Sequence, residues 1–216
     1  MSSPLLIFDC DGVLVDSEHI NSTVFYEMVQ ARDIDISFDL IHKEMLGGAL
    51  HDAIQLIERT HNKSLGEDFI QEFRTNTFDR FKSTLKPING ILSSLEKLTY
   101  RKCIASNGPL EKMALNLEVT GIIKHFDKNH IFSAYDIQTW KPEPDLFFHA
   151  LKKMNGRKEE AIIVEDSMNG VKGAINAGIK VIAYAVPDKK DQLAALGPDL
   201  IIEDMHDLPN AIEELI

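Results

Sequence analysis

The sequence predicts an α/β protein, with a doubly wound parallel sheet and a small α-helical bundle inserted near its start. Three observations lead to this prediction. Through most of the chain, short apolar runs typical of buried strands alternate with helical patterns. Residues 17–86 carry helical patterns alone. Polar residues directly follow several of the predicted strands. Strand–helix alternation of this kind gives a Rossmann-like sheet with helices on both faces. Ligands of such sheets bind at the carboxyl ends of the strands.

Composition and charge limit the classes of function. The 216 residues are 44% hydrophobic and 26% charged, as in ordinary globular proteins. The formal net charge of −11 argues against nucleic acid or an anionic membrane as a partner. No apolar run is long enough to span a bilayer, and the N-terminus lacks the features of a signal peptide. The two cysteines lie in apolar strand-like runs, so we expect buried free thiols in a reducing cytoplasm. We also expect a monomer.

The first predicted strand, Leu5–Phe8, leads directly into two aspartates and a glycine, Asp9, Asp11 and Gly12. Residues two apart on an extended chain point the same way, so the two carboxylates can face one spot. Carboxylates that close repel each other unless a cation lies between them or one is protonated. Oxygen ligands with room for a phosphate favour Mg²⁺. By itself the stretch fits the start of a loop equally well, because Asp and Gly favour turns.

Residues 17–86 are predicted to form a helical bundle inserted after that strand. Apolar residues recur at three- and four-residue spacing within 20–29, 54–57 and 69–81, which predicts three amphipathic helices. Glycine and asparagine residues near 47–48 and 62–66 break the pattern. The chain is therefore divided into an α/β core, residues 1–16 and 87–216, and an inserted helical domain, residues 17–86.

The second part of the chain returns to alternating strands and helices. Strands are predicted at 102–105, 131–132, 161–164, 179–184 and 200–202. Ser106 and Asn107 follow the second strand of the sheet, Lys141 follows the third, and Glu165 and Asp166 follow the fourth. Each of these segments alone fits a turn, a surface lysine or a helix cap. Their placement at one edge of one sheet favours a shared site.

These residue types suit phosphoryl transfer. A carboxylate can attack phosphorus and form an aspartyl-phosphate, and a second carboxyl group can donate and accept the protons. Mg²⁺ and a lysine can neutralise the charge on the transferring group. A hydroxyl group and backbone N–H groups at a helix start can bind phosphate oxygens.

Four motifs resemble those of the haloacid dehalogenase superfamily, in the same order and over essentially the whole chain. The motifs are Asp9-x-Asp11-Gly-Val-Leu-x-Asp16, Ser106-Asn107-Gly108, Lys141-Pro142 and Glu165-Asp166-Ser167-x-x-Gly170. The inserted helices resemble the cap of the branch that contains phosphoglycolate phosphatase and β-phosphoglucomutase. As a set the motifs are very specific, whereas the first motif alone is weak.

The resemblance implies a role for each matching residue. Asp9 corresponds to the nucleophile and Asp11 to the general acid/base. Ser106, with Asn107 beside it, and Lys141 correspond to the phosphate-binding residues. Asp166 and the adjacent Glu165 correspond to the carboxylates that complete Mg²⁺ coordination, together with Asp9 and the Asp11 carbonyl group.

The resemblance also separates the candidate activities. Dehalogenases lack a carboxylate at the position of Asp11, which disfavours dehalogenation. Mutases of the branch carry a basic residue just after the cap's glycine turn and an early cap histidine. In this chain Gly48 lies in that turn, and the first basic candidate, His51, comes three residues later. The early helix position is occupied by Asn21, and His19 lies two residues before it. These four cap residues are the candidates for substrate specificity.

The main hypothesis is therefore hydrolysis of a small phosphate monoester. Segments 106–109 and 135–142 resemble those of bacterial 6-phosphogluconate phosphatases, which implies a sugar phosphate or sugar-acid phosphate as the small-molecule partner. A phosphosugar mutase is the alternative. A phosphoacceptor signalling domain also uses a doubly wound sheet, Mg²⁺ and a lysine, but the cap and the carboxylates after the fourth strand disfavour it. An inactive, binding-only member is disfavoured by the intact motifs.

Overall fold

The computed structural model describes residues 4–45 and 50–216. The chain forms two compact units, one made of residues 1–15 and 86–216 and the other of residues 16–85. No helix within the described ranges is both long enough and apolar enough to cross a membrane.

In chain order, the helices are α1 Glu18–Gln30, α2 Phe38–Met45, α3 Leu50–His61, α4 Phe69–Thr84, α5 Ile91–Lys97, α6 Leu110–Val119, α7 Ala134–Ile137, α8 Asp145–Lys153, α9 Met168–Ala177, α10 Lys190–Ala194 and α11 Leu208–Leu215.

The larger unit is built on one parallel sheet of six strands. The strands are β1 Leu5–Phe8, β2 Arg101–Ser106, β3 Ile131–Ser133, β4 Ala161–Glu165, β5 Lys180–Tyr184 and β6 Leu200–Ile202. Their order across the sheet is β3-β2-β1-β4-β5-β6, and every neighbouring pair is parallel. The chain order reverses direction at β1, so the loops after β1, β2 and β4 share the edge where such sheets bind ligands. The predicted Rossmann-like α/β fold is confirmed.

The core of this unit lies between the sheet and its helices. Alternate strand residues such as Ile7, Cys103 and Ile163 are fully buried in one cluster with side chains of α8 and α9. Their strand neighbours point to the other face, because side chains alternate along a strand. Helices α6 and α11 contact the sheet through residues outside that cluster. Cys10 and Cys103 are buried free thiols, as expected, and burial raises the pKa of both.

The smaller unit is a bundle of helices around its own apolar core. Phe25 of α1 packs edge-on against Phe69 and Phe73 of α4, with ring centroids 5.3 and 5.8 Å apart. The three predicted helices are present as α1, α3 and α4. The structure adds α2, which the sequence pattern missed because this helix is short and buries only Ile41 completely. That this unit acts as a cap on the larger one stays a prediction.

Candidate active site

The carboxyl edge of the sheet brings the predicted residues of β1, β2 and β4 together. Phe8 and Val164 are paired in the register of β1 and β4. The N–H of Asp9 continues this ladder by donating to the carbonyl oxygen of Val164 at 3.0 Å. Glu165 therefore lies beside Asp9 at the same edge. On the other side of β1, β2 ends at Ser106.

Lys141 is buried between two of these carboxylates. Its Nζ lies 2.6 Å from Oδ1 of Asp9 and 2.5 Å from Oε1 of Glu165. It also donates to the carbonyl oxygen of Ala105 at 2.8 Å, so three acceptors surround the ammonium group. The side chains of Lys141 and Glu165 are 2% and 1% exposed, and that of Asp9 is 10% exposed. The loop between α7 and α8 thus places a desolvated positive charge at the ends of β1 and β4.

The charge on Lys141 alone does not keep the pKa of Asp9 at its ordinary value. Burial by itself would lower the pKa of Lys141, but Asp9 and Glu165 raise it well above its ordinary value, so the lysine stays charged. Burial raises the pKa of Asp9 to about 7, with Lys141 opposing this and the carboxylates of Glu165 and Asp11 adding to it. A further cation near Asp9 would therefore be favourable, because it would stabilise the ionised carboxylate that burial disfavours.

Glu165 has a second set of contacts, at the start of α9. Its Oε2 accepts from the N–H groups of Asp166 and Ser167, both at 3.1 Å, and from the Ser167 hydroxyl at 3.0 Å. The Ser167 oxygen in turn accepts from the N–H of Gly170 at 3.0 Å and caps the helix. The resemblance implied a metal-binding role for Glu165. That role stays a prediction, and the observed contacts hold Lys141 with one oxygen and the start of α9 with the other.

Gly170 is needed for this arrangement. A Cβ atom at residue 170 would lie 1.8 Å from Cδ of Glu165, which only a glycine avoids. We expect Gly170→Ala to displace the carboxylate and lower the free energy of unfolding by about 1–3 kcal/mol, as overpacking does. Chemical denaturation checks this, with Asn169→Ala at the neighbouring exposed position as the control. Equal stability of both variants would contradict the close approach.

Ser106 and Asn107 form the turn between β2 and α6. The Ser106 hydroxyl is buried and accepts from the N–H of Gly108 at 3.3 Å. The Asn107 amide is directed to the main chain of Lys141, where its Oδ1 accepts from the N–H at 2.9 Å and its Nδ2 donates to the carbonyl oxygen at 3.4 Å. Asn107 therefore fastens the lysine loop to the end of β2. The phosphate contacts of both residues stay predictions.

Two residues beside Asp11 were missed by the sequence analysis. Lys112 of α6 places Nζ 2.7 Å from Oδ2 of Asp11, and Asn116 places Nδ2 3.4 Å from Oδ1. Burial alone would lower the pKa of Lys112, but Asp11 more than offsets this and raises it, so the lysine stays charged. One signal in the sequence could have found them, since a polar Asn116 lies between the apolar Met113 and Leu117 on a helix that leaves the site edge.

Asp166 lies against the loop that follows β1. It is only 5% exposed, and its Oδ2 lies 3.1 Å from Nζ of Lys189. A Cβ atom on Gly12 would lie 2.3 Å from the same oxygen, and Gly12 has a φ of +81°. The glycine thus permits both the turn and the close approach of the carboxylate to the main chain.

The oxygen atoms at this edge fit a hard divalent cation. No three side chains of His, Cys, Asp and Glu are grouped as a metal site in the described ranges. Mg²⁺ does not require such a group, because it typically uses one or two carboxylates and keeps waters or phosphate oxygens as its other ligands. Asp9 directly follows β1, and the Asp166 carboxylate lies against the same loop at Gly12, so two carboxylates are available at this edge. The pKa of Asp9, which burial raises above its ordinary value, supports the same fit, because a cation beside Asp9 would favour its ionised form.

Three of the four predicted specificity residues lie in the described part of the helical unit. His19 and Asn21 lie on α1, and the His19 ring contacts the rings of Phe38 and His42. His51 lies on α3 and is exposed. Gly48 lies outside the described residues. Their roles in substrate recognition stay predictions.

Comparison with known proteins identifies the family. The model of the haloacid dehalogenase-like hydrolase family matches residues 6–184. The chain belongs to this family. It is 36% identical over 180 residues to the 6-phosphogluconate phosphatase of Escherichia coli strain K12, covering 83% of this chain and 81% of that protein. It is 26% identical over 195 residues to a phosphorylated carbohydrates phosphatase of Thermotoga maritima, covering 88% and 89%.

A solved structure of the haloacid dehalogenase-like family also matches along the full length. A conserved protein of unknown function from Agrobacterium tumefaciens shares 30% identity, 99% coverage of both chains and a TM-score of 0.89. The resemblance inferred from the four motifs is thereby confirmed.

Proposed function

We propose that this phosphoric monoester hydrolase releases inorganic phosphate from a small sugar phosphate or sugar-acid phosphate through a phosphoryl group held transiently on Asp9. The observation that carries the proposal is the buried group of Asp9, Lys141 and Glu165 at the carboxyl edge of the sheet. A desolvated carboxylate beside a buried lysine combines a nucleophile with a charge that stabilises a phosphoryl group. The names of the two relatives above support the reaction class.

In the first step, an Asp9 carboxylate oxygen attacks phosphorus of the monoester. A new O–P bond forms on Asp9, and the bond between phosphorus and the ester oxygen breaks with its electron pair on that oxygen. Asp11 gives its proton to the departing oxygen, so the product is a neutral alcohol and Asp11 is left as a carboxylate. Such proton transfer is worth about 10²- to 10⁴-fold in rate.

In the second step, water attacks the phosphorus of the aspartyl-phosphate. Asp11, now ionised, takes a proton from the water as the new O–P bond forms. The bond between phosphorus and the Asp9 oxygen breaks, and its electron pair returns to the carboxylate. Inorganic phosphate leaves, Asp9 is regenerated, and Asp11 again carries its proton.

Lys141 and Ser106 act on the phosphoryl group without forming covalent bonds. Lys141 lies against Asp9, so its charge can stabilise the oxygens of the transferring group as negative charge builds on them. Glu165 and Asn107 keep this lysine in place, one at Nζ and the other at the main chain. Ser106 ends β2 at the same edge, where its hydroxyl can donate to a phosphate oxygen.

The residues that would hold Mg²⁺ are Asp9, the Asp11 carbonyl group and Asp166. Phosphatases of this family typically use a divalent metal ion. Bound there, Mg²⁺ would supply positive charge that offsets repulsion between the nucleophile and the substrate phosphate. Gly12 permits the Asp166 carboxylate to reach the main chain of this loop.

We expect Asp166→Asn to raise the Mg²⁺ concentration needed for half-maximal activity by about 10- to 100-fold, because it removes one anionic ligand. The asparagine is nearly the same size, so the Gly12 contact persists. Titration of phosphate release against Mg²⁺ checks this. Asp145→Asn, at an exposed position on α8, is the control and should leave the Mg²⁺ dependence unchanged. The same Mg²⁺ dependence in both variants would remove Asp166 from the metal site.

The proposed substrate class follows from the relatives and the resemblance of segments 106–109 and 135–142. The E. coli relative is named for 6-phosphogluconate, a sugar-acid phosphate, and the T. maritima relative for phosphorylated carbohydrates. We therefore place 6-phosphogluconate first among the candidates. His19, Asn21, Gly48 and His51 of the helical unit are the proposed specificity residues.

The experiment that tests this proposal is a substrate panel. The purified chain is incubated with Mg²⁺ and a set of sugar and sugar-acid phosphates, including 6-phosphogluconate, and released phosphate is measured. Isomerisation of hexose phosphates is followed in parallel, because a β-phosphoglucomutase-like enzyme would catalyse it. We expect phosphate release without isomerisation. Isomerisation as the main reaction, or no reaction with any compound, would contradict the proposal.

A further inference from the structure

Two side chains of one helix hold Asp11, the proton-transfer residue of the proposed mechanism. Lys112 and Asn116 are four residues apart on α6, so they lie on one face, one turn from each other. Lys112 Nζ lies 2.7 Å from Oδ2 of Asp11, and Asn116 Nδ2 lies 3.4 Å from Oδ1. Because the two donors engage different oxygens, together they restrict rotation of the carboxylate.

Asn116 occupies a position where packing alone would favour an apolar residue. Its side chain is fully buried, as are those of Met113 and Leu117 on the same helix. Burying an amide costs free energy unless it forms hydrogen bonds. Its Oδ1 is buried and has no hydrogen-bond partner within the described residues, so the contact of Nδ2 with Asp11 is the polar contact that compensates this burial. An aliphatic side chain of similar size would avoid that cost.

Lys112 provides the stronger of the two contacts. Its side chain is 19% exposed and that of Asp11 is 24% exposed, so the ion pair is largely shielded from water. When Asp11 is ionised, as it is after giving its proton to the leaving oxygen, the hydrogen bond joins two charged groups and is shorter and stronger than a neutral one. Asp11 also packs near Gly108, where a Cβ atom would lie 3.6 Å from Oδ2. The Asp11 carboxylate therefore lies close to the turn that is predicted to bind phosphate, and it is held there by two side chains of α6.

We propose that Lys112 and Asn116 are positioning residues that orient the Asp11 carboxyl group for proton transfer to the leaving oxygen. This inference rests on the proposed function, since it assigns them to the acid/base residue of that mechanism. Neither side chain touches the phosphoryl group in this scheme. Their effect on the reaction should therefore depend on how much the leaving group needs a proton.

The test compares two substrates in the full-length protein. The p-nitrophenolate anion leaves without protonation, whereas the alkoxide of an alkyl phosphate such as glucose 6-phosphate requires it. The constant kcat/KM reports the steps up to transfer to Asp9. We expect Lys112→Met to lower kcat/KM at least about 10-fold more for glucose 6-phosphate than for p-nitrophenyl phosphate, in the same direction as Asp11→Asn. Asn116→Leu should also lower kcat/KM more for glucose 6-phosphate than for p-nitrophenyl phosphate, but by a smaller factor.

Three controls separate positioning from a general structural effect. Lys112→Arg keeps a cationic donor and should recover most of the lost kcat/KM for glucose 6-phosphate. Adding Lys112→Met to Asp11→Asn should not lower kcat/KM for glucose 6-phosphate any further, because both substitutions act through the Asp11 carboxyl group. Lys152→Met, at an exposed position on α8, should leave kcat/KM unchanged for both substrates. Thermal unfolding of each variant verifies that the fold is retained.

The outcomes distinguish this inference from the proposed function. If Asp11→Asn itself shows no preference between the two leaving groups, the acid/base assignment fails and the inference fails with it. If Asp11→Asn shows the preference but Lys112→Met lowers kcat/KM equally for both substrates, or not at all, only the positioning role is overturned. Should Lys112→Met unfold the protein, the same comparison with Asn116→Leu and Lys112→Arg decides the question.

Discussion

Asp9→Asn is expected to abolish Mg²⁺-dependent release of phosphate from p-nitrophenyl phosphate, by at least about 10⁴-fold in kcat. An amide is a far weaker nucleophile than a carboxylate and cannot form the acyl phosphate. The fold should persist, because the asparagine oxygen can still accept the hydrogen bond that Lys141 donates to Oδ1. The loss would then be chemical, and circular dichroism and thermal unfolding can establish that the variant is folded.

The matched control for Asp9→Asn is Asp145→Asn, which makes the same change at an exposed position on α8. We expect that variant to retain the full rate. Retention of even a few per cent of the rate by Asp9→Asn would contradict the role of Asp9 as nucleophile, provided that contamination by wild-type protein is excluded by mass spectrometry.

Lys141→Met is expected to have the largest effect on stability. It removes the cation between Asp9 and Glu165, whose carboxylates are almost completely buried. Removing one partner of a buried ion pair typically costs about 3–5 kcal/mol, because the remaining charge has no compensation. The methionine also removes the charge proposed to stabilise the phosphoryl group, so activity should be lost. Denaturant unfolding gives the first quantity and phosphate release gives the second.

A double variant separates these two effects of Lys141. Adding Glu165→Gln to Lys141→Met removes one uncompensated charge, so part of the free energy of unfolding should return while activity stays absent. Lys152→Met, the same change at an exposed site, should change neither the free energy of unfolding nor the rate of phosphate release appreciably. A stability of Lys141→Met equal to that of the control would contradict the account of the buried charge group.

The sequence alone predicted the features that follow from the regular geometry of strands. Residues at the carboxyl ends of parallel strands share one edge, so Asp9, Glu165 and Ser106 could be expected together before the strand order was known. That Glu165 lies directly beside Asp9 depends on β1 pairing with β4, and this neighbour relation is set by tertiary packing. Lys141 could be placed only near the edge, whereas its burial between two carboxylates required the structure.

Features that depend on side-chain direction were not predicted. The rotamer of Glu165 directs one oxygen to Lys141 and the other to the start of α9, whereas the sequence led only to a metal-binding role, which stays a prediction. Lys112 and Asn116 lie within a helix and not at a strand end, so the rule for parallel sheets does not find them. In the helical unit, α2 was missed because a helix of eight residues leaves a short periodic signal.

The central claim, a phosphoryl group carried by Asp9, is tested most directly by trapping that group. Asp11→Asn is mixed with p-nitrophenyl phosphate and Mg²⁺, quenched in acid within the first turnovers and digested for mass spectrometry. The leaving group needs no proton, whereas attack by water has lost its base, so the intermediate should accumulate. We predict one added phosphoryl group on the peptide that contains Asp9, and none when Asp9→Asn is also present. A phosphoryl group on another residue, or free phosphate released with no modified peptide at any time, would contradict the account.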